Sequence, residues 1–263
     1  MRRVGAVVAV AAVLGGAVVV YEAVTGGGAP GSAEIVARAE AAIDASDAIV
    51  HTRARLHADT VIRPQGTDEI RQTFDQVTES WALGTRTHSI VRSPEGEILF
   101  DITSAPGTTT VWDATTNTTT ITDGLPQTPT GQPVRGLEGL ARILQAAEVL
   151  GPEDFEGQEV WRLVTRCTST IGTTATERHT DYRIDTSTYA PVALDTVLET
   201  DAAGTTSSST SALRYELFEQ LPPGDTARLE LLPHPDARVV RQTLPPPDPA
   251  TTPQIQETCE PGA

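Results

Sequence analysis

The residues best suited to chemistry in this 263-residue chain are five histidines and two cysteines. His51 and His57 have the same parity in one alternating segment. Six residues at about 3.3 Å each put them roughly 20 Å apart, too far to share a metal. Arg53 and Arg55 lie between them, which predicts a solvated strand face. The functional alternative is a basic stripe that meets anionic headgroups. His179 and Asp181 are two apart, a spacing that suits a base and its orienting carboxylate or two metal ligands, but no third ligand is evident. There is no Gly-x-Ser-x-Gly elbow, no His-Glu-x-x-His and no phosphate-binding glycine loop. Glu153-Asp154 reads as a solvated turn after a helix, and Asn117-Thr118-Thr119, a glycosylation acceptor pattern, as part of a tight hairpin. The expectation is a non-enzymatic protein without metal or cofactor.

Charge and the ends of the chain bear on partners and compartment. With 35 acidic residues against 19 basic ones, all arginine, the net charge is −16, which argues against nucleic acid as a partner. Val4 to Val24 is a nearly unbroken run of Val, Ala, Leu and Gly behind Arg2 and Arg3. Its length approaches the roughly 20 residues that span a bilayer. The positive-inside rule then leaves the short N-terminus cytoplasmic and the rest outside. Residues 1–32 are therefore read as a transmembrane signal-anchor, with a cleaved signal peptide as the alternative. Either reading makes the bulk of the protein extracytoplasmic, on the cell membrane or secreted. In an oxidising compartment Cys167 and Cys259 most simply form one disulfide that ties the C-terminal tail to the body. An intermolecular bridge is the other reading.

The elements that must position these residues follow from periodicity. Ser32 is placed to cap a helix over 33–45, with Ile35, Ala39, Ala42 and Ile43 on one face. The period then becomes two: 49–62 alternates Val50, Ala54, Leu56 and Ala58 against His51, Arg53, Arg55 and His57. Strands are predicted at 70–79, 85–92, 97–104, 108–113 and 117–122, separated by turn formers. A second helix is predicted over 137–150, with Leu137, Leu140, Ala141, Leu144 and Ala147 on one stripe and Gly151-Pro152 as its stop. Strands resume at 159–170, 174–185, 191–200 and 205–218, followed by a mixed tail and a polyproline stretch from Leu244 to Pro249.

This order predicts an α+β fold: a half-open antiparallel β-barrel of about 10–11 strands, with a helix packed in or on its concave side. The expected domain runs from 33 to 235, and residues 236–263 form a Pro-rich tail.

Three segments carry a family resemblance. Gly107–Ile121, with Val111-Trp112-Asp113 and Thr116-Asn117-Thr118, resembles a hairpin common in the LolA-like superfamily. Gly157-Gln158-Glu159-Val160-Trp161-Arg162-Leu163 is similar to its Gly-x-x-x-aromatic-x-Leu strand. Tyr182–Val192, with Asp185 and Pro191, is similar to its aromatic-x-x-Asp-turn-Pro hairpin. The resemblance spans roughly residues 34 to 218. It implies an unclosed barrel packed on helices, with an apolar cavity for acyl chains. The superfamily includes lipoprotein carriers and RseB-like periplasmic regulators. This sequence lacks the lipobox cysteine of mycobacterial members and has an apolar N-terminal run instead, which suits a tethered protein better than a shuttle.

The candidate cavity lining is Leu56, Phe74, Ile98, Phe100, Ile102, Trp161, Leu163, Leu194, Leu198 and Tyr215. Any curled sheet also buries such positions against its own helices. The functional expectation is a lipid- or lipoprotein-binding protein that holds acyl chains in the half-barrel, with the membrane as a further partner through the N-terminal segment. The alternatives are an RseB-like regulator that binds an anti-sigma factor, and a structural domain whose barrel is filled.

Overall fold

The computed structural model describes residues 30–44, 47–66, 68–124, 144–171, 173–202, 204–244 and 256–261. The N-terminal apolar run, the polyproline stretch and most of the expected second helix lie outside the described residues. No helix among the described residues is long and apolar enough to cross a membrane.

One helix, α1 (Ser32–Ile43), precedes the strands. Ala, Glu and Arg favour it, and Ile35, Ala39 and Ile43 recur every four residues on its buried stripe. Ser32 is the first helical residue and not the cap. Gly31 takes that position, and its carbonyl accepts from the Glu34 and Ile35 N–H groups.

The strands are β1 (Ile49–Pro64), β2 (Ile70–Leu83), β3 (Arg86–Arg92), β4 (Ile98–Ala105), β5 (Thr108–Asp113), β6 (Thr118–Asp123), β7 (Glu148–Phe155), β8 (Gln158–Ile171), β9 (Thr174–Asp185), β10 (Pro191–Ala202), β11 (Thr205–Leu221), β12 (Arg238–Thr243) and β13 (Gln256–Pro261). They form one open sheet of 13 strands in the order β12-β6-β5-β4-β3-β2-β1-β11-β10-β9-β8-β13, with β7 also on β8. All pairings are antiparallel except β12 with β6.

Two expectations change. Leu144 and Gln145 are helical, but the helix predicted to run to Leu150 has ended before Glu148, where β7 begins. Gly151 does not stop a helix; at φ 120° it sits in a bulge that reorients β7. Pro152 is tolerated because β7 has β8 as its one strand partner among the described residues, and an edge strand can lack a donor. The sheet also continues past residue 235, beyond the expected strand count. β12 pairs with β6, and β13 pairs with β8 just beyond the stretch taken by β7.

The register divides the side chains between two faces. α1 packs on one of them, where Ile35, Ala39 and Ile43 meet Leu163, Tyr182, Ile184, Tyr189 and Leu144. On the other face a second cluster joins Ile49, Trp81 and Ile90 to Leu229. Leu229 belongs to residues 222–237, which leave β11 and cross the opposite face to reach β12 at the far edge, which is why β12 runs parallel to β6.

Candidate functional site

Cross-strand partners place every candidate lining residue except Ile98 on the α1 face. Leu56 stands opposite Leu213, which stands opposite Leu194, then Tyr182, then Leu163. Phe100 pairs with Val91, Val91 with Thr78, Thr78 with Ala54, and Ala54 with Tyr215. Phe74 lies opposite Ala58, Ile102 opposite Ser89, and Leu198 opposite Ser209. Ile98 is the exception: a register shift after Val91 turns it to the opposite face, against the cluster of Trp81 and Ile90.

These residues do not form one lining. Leu163 is fully buried, and Trp161 and Leu194 pack against the same α1 cluster, so all three are core. Leu56, Ile102, Leu198 and Tyr215 are half-buried. Phe74 is 51% exposed and Phe100 38%. Ile70, 47% exposed and opposite Ile62, extends the same apolar surface. Sequence reasoning omitted Ile70, although it shares the parity of Phe74 and carried the signal needed.

Charge separates the two faces sharply. Along β1 the α1 face carries Val50, Thr52, Ala54, Leu56, Ala58, Thr60 and Ile62; along β2, Ile70, Gln72, Phe74, Gln76, Thr78, Ser80 and Ala82. β3, β4, β6, β10 and β11 likewise place no charged residue there, despite the chain's 35 acidic and 19 basic residues. The exceptions on this face include Arg178 on β9, Asp113 on β5 opposite Phe100, and Arg238 on β12 opposite Thr118. The exposed Phe74, Phe100 and Ile70 form an apolar stretch on this face of a kind that can serve as an interaction surface.

The opposite face holds most of the charged residues of β1 and β2, and many of them are paired. Arg53 and Arg55 meet Glu216 at 3.1 and 3.0 Å, while Arg63 and Arg71 share Glu69 at 2.8 and 2.6 Å. The basic stripe is thus matched by carboxylates. His51 lies between Glu219 (2.8 Å) and Glu79 (3.0 Å), and His57 between Asp75 (2.7 Å) and Asp59 (3.1 Å). Hydrogen bonds to Asp75 and Asp59 hold the His57 pKa above its ordinary value.

His179 does not obtain Asp181 as an orienting partner, because the Arg162 guanidinium binds that carboxylate through two nitrogens, at 3.0 and 2.7 Å. His57, His179, Asp181 and Asp195 border an open depression on this face. No group of three or more His, Cys, Asp or Glu side chains that could hold a metal ion occurs among the described residues.

Cys167 and Cys259 form the expected disulfide, joining β8 to β13. Asn117 also has a structural role. Its Oδ1 accepts from Trp112 Nε1 at 3.1 Å and its Nδ2 donates to the Asp236 carbonyl, at a left-handed φ of 45°.

No protein-family model matches this chain, and no curated protein matches it. Among solved structures, an uncharacterized conserved protein from Thermus thermophilus aligns with a TM-score of 0.46 at 15% identity, covering 80% of this chain and 99% of that one. A LolA superfamily protein from Nitrosomonas europaea aligns at 0.30 and 12% identity, over 75% of this chain and 97% of that one. A DUF1329 family protein from Desulfovibrio piger aligns at 0.27 and 11%, over 71% and 92%. These scores are too low to carry an argument about function.

Proposed function

We propose that the protein is an extracytoplasmic, membrane-anchored binder of lipid or lipoprotein acyl chains, which it holds against the α1 face by burial alone. The observation that carries this reading is the uncharged surface of β1–β4 and its exposed Phe74, Phe100 and Ile70. Burying an acyl chain there contributes about 0.8 kcal/mol per CH₂. Neutral Ser, Thr and Gln side chains between the apolar ones impose no ion-desolvation cost on a chain laid across them. No proton transfer or nucleophile is required, so the reading is non-enzymatic.

The test is photo-crosslinking of the full chain in phosphatidylcholine vesicles, using a phosphatidylcholine with a diazirine on one acyl chain. Labels on β1, β2 and β4 that disappear in Phe74→Asp are the expected result. Labels confined to residues 4–24 overturn the reading.

A further inference from the structure

Residues 222–237 are held across the opposite face at one buried polar centre. Asp101 on β4 has no exposed surface and His88 on β3 is 2% exposed. One Asp101 oxygen accepts from His88 Nε2 at 2.7 Å. The other accepts from the Leu232 N–H at 2.9 Å and from His234 Nε2 at 3.0 Å. His88 Nδ1 lies 2.6 Å from the Arg228 carbonyl oxygen. The His234 ring also stacks on Trp112, with centroids 3.8 Å apart.

The protonation state of His88 follows from its partners. A backbone carbonyl can only accept, and an ionised carboxylate can only accept, so both ring nitrogens must donate. His88 is therefore an imidazolium in this arrangement, and holding the Arg228 carbonyl and Asp101 at the same time depends on that proton. We propose that His88, Asp101 and His234 form a proton-dependent latch that fastens residues 222–237 over the Trp81–Ile90 cluster and opens on alkalinisation. This inference is independent of what the α1 face binds.

The surrounding charges favour the closed form at neutral pH. Glu79 on β2 faces His88 from the neighbouring strand, and His51 on β1 stacks on the far side of Trp81. Glu219 on β11 pairs with that His51. From the segment itself come His234 and Arg228, whose guanidinium is engaged by Asp225 at 2.6 Å. Burial opposes charge on His88, but Asp101, the Arg228 carbonyl and Glu79 outweigh it and raise the pKa above the ordinary histidine value. Burial likewise opposes ionisation of Asp101, and the bonds from His88, His234 and the Leu232 N–H outweigh that too, so its pKa is lowered.

The sign follows by linkage. The His88 contribution is complete below the ordinary histidine pKa and is lost as pH rises through the raised value. The Asp101 contribution is lost only in acid, as pH falls through its depressed value. Loss of the His88 proton forfeits either the Arg228 or the Asp101 bond, which weakens the hold on the segment and favours lifting of Leu229 from Ile49, Trp81 and Ile90.

Amide hydrogen exchange of the full chain, corrected for intrinsic rates, tests the latch. Between about pH 6 and about pH 10, protection of the Leu232 amide should fall at least ten-fold while the β1–β11 ladder stays protected. Constant Leu232 protection, or loss in step with β1–β11, overturns the proposal. In Asp101→Asn the opening midpoint should move to lower pH; an unmoved midpoint overturns it. If that variant does not fold, ¹⁵N imidazole NMR of the wild type decides. Two protonated His88 nitrogens near neutral pH are expected, and a neutral single tautomer overturns the proposal.

Discussion

Leu163 and Phe74 project from the same face of one sheet, yet Leu163 is fully buried under α1 while Phe74 is half exposed. This difference divides the α1 face into a part that holds the fold together and a part open to a ligand. Leu163→Ala should destabilise the protein by about 2–5 kcal/mol, the usual cost of emptying a core leucine site. Phe74→Asp should change stability by about 1 kcal/mol or less, since it adds a charge where water already reaches. It should nevertheless reduce acyl-chain capture by at least ten-fold. Urea denaturation of both variants beside the crosslinking assay checks the separation. A Phe74→Asp protein as unstable as Leu163→Ala would make Phe74 a core residue.

The disulfide closes a sequence separation of 92 residues. In the chain-entropy account a loop of that size contributes about 4–5 kcal/mol, and measured values are commonly about 2–4. Replacing both cysteines by serine should lower stability by about 2–5 kcal/mol, and the loss should appear first as exchange along the β8–β13 ladder. Thermal melts with and without reductant should reproduce the difference in the wild type and show none in the double variant.

How much of this was legible in the sequence varied with the range of each interaction. Strict alternation from Ile49 to Ile62 exposed β1, and turn residues bounded Thr174–Asp185, which is β9 as observed. The same alternation placed Leu56 with Val50, Ala54 and Ala58 on one face of β1, as observed. β7 was misread because Leu144 and Ala147 continue a helical stripe up to its first residue. β12 and β13 escaped because each is defined by a partner far away in sequence, Thr118–Asp123 for one and Thr165–Thr170 for the other. The His88–Asp101–His234 centre left no local signal, since His234 lies 133 residues from the carboxylate it meets.

Asp185 shows how a motif residue can be wholly structural. Partial burial would raise its pKa, but the Ser187 hydroxyl, the Thr188 N–H and the Gln158 amide all donate to it and hold it well below the usual carboxylate range. Its folded-state pKa is depressed, so its contribution is present above the ordinary aspartate value and disappears as pH falls through the depressed one. Asp185→Ala should cost about 1–3 kcal/mol at neutral pH, by opening the β9–β10 turn, and progressively less in acid. Denaturant midpoints of both proteins at neutral and acid pH measure this. A gap that widens in acid would contradict the assignment.

Arg183 gathers the ionic groups of the opposite face. It binds Glu153 at 2.8 Å and Asp195 at 2.7 Å, and its guanidinium carbon lies 4.4 Å from the Phe155 ring centroid. Its side chain is mostly buried, whereas Arg55, which binds Glu216, is largely exposed. An exposed pair is worth about 0.2–1 kcal/mol and is screened by salt. Removing one partner of a partly desolvated pair costs more, although Asp195 keeps Arg214 at 2.6 Å and Glu153 keeps Arg162 at 4.0 Å. Arg183→Met should therefore destabilise by about 1–3 kcal/mol with little salt dependence, while Arg55→Met should cost under about 1 kcal/mol and vanish in high salt. The double-mutant cycle of Arg183 with Asp195 should give a coupling clearly above that of Arg55 with Glu216. Equal couplings would mean that water screens the two sites alike and that the β8–β11 network contributes no more than a surface pair.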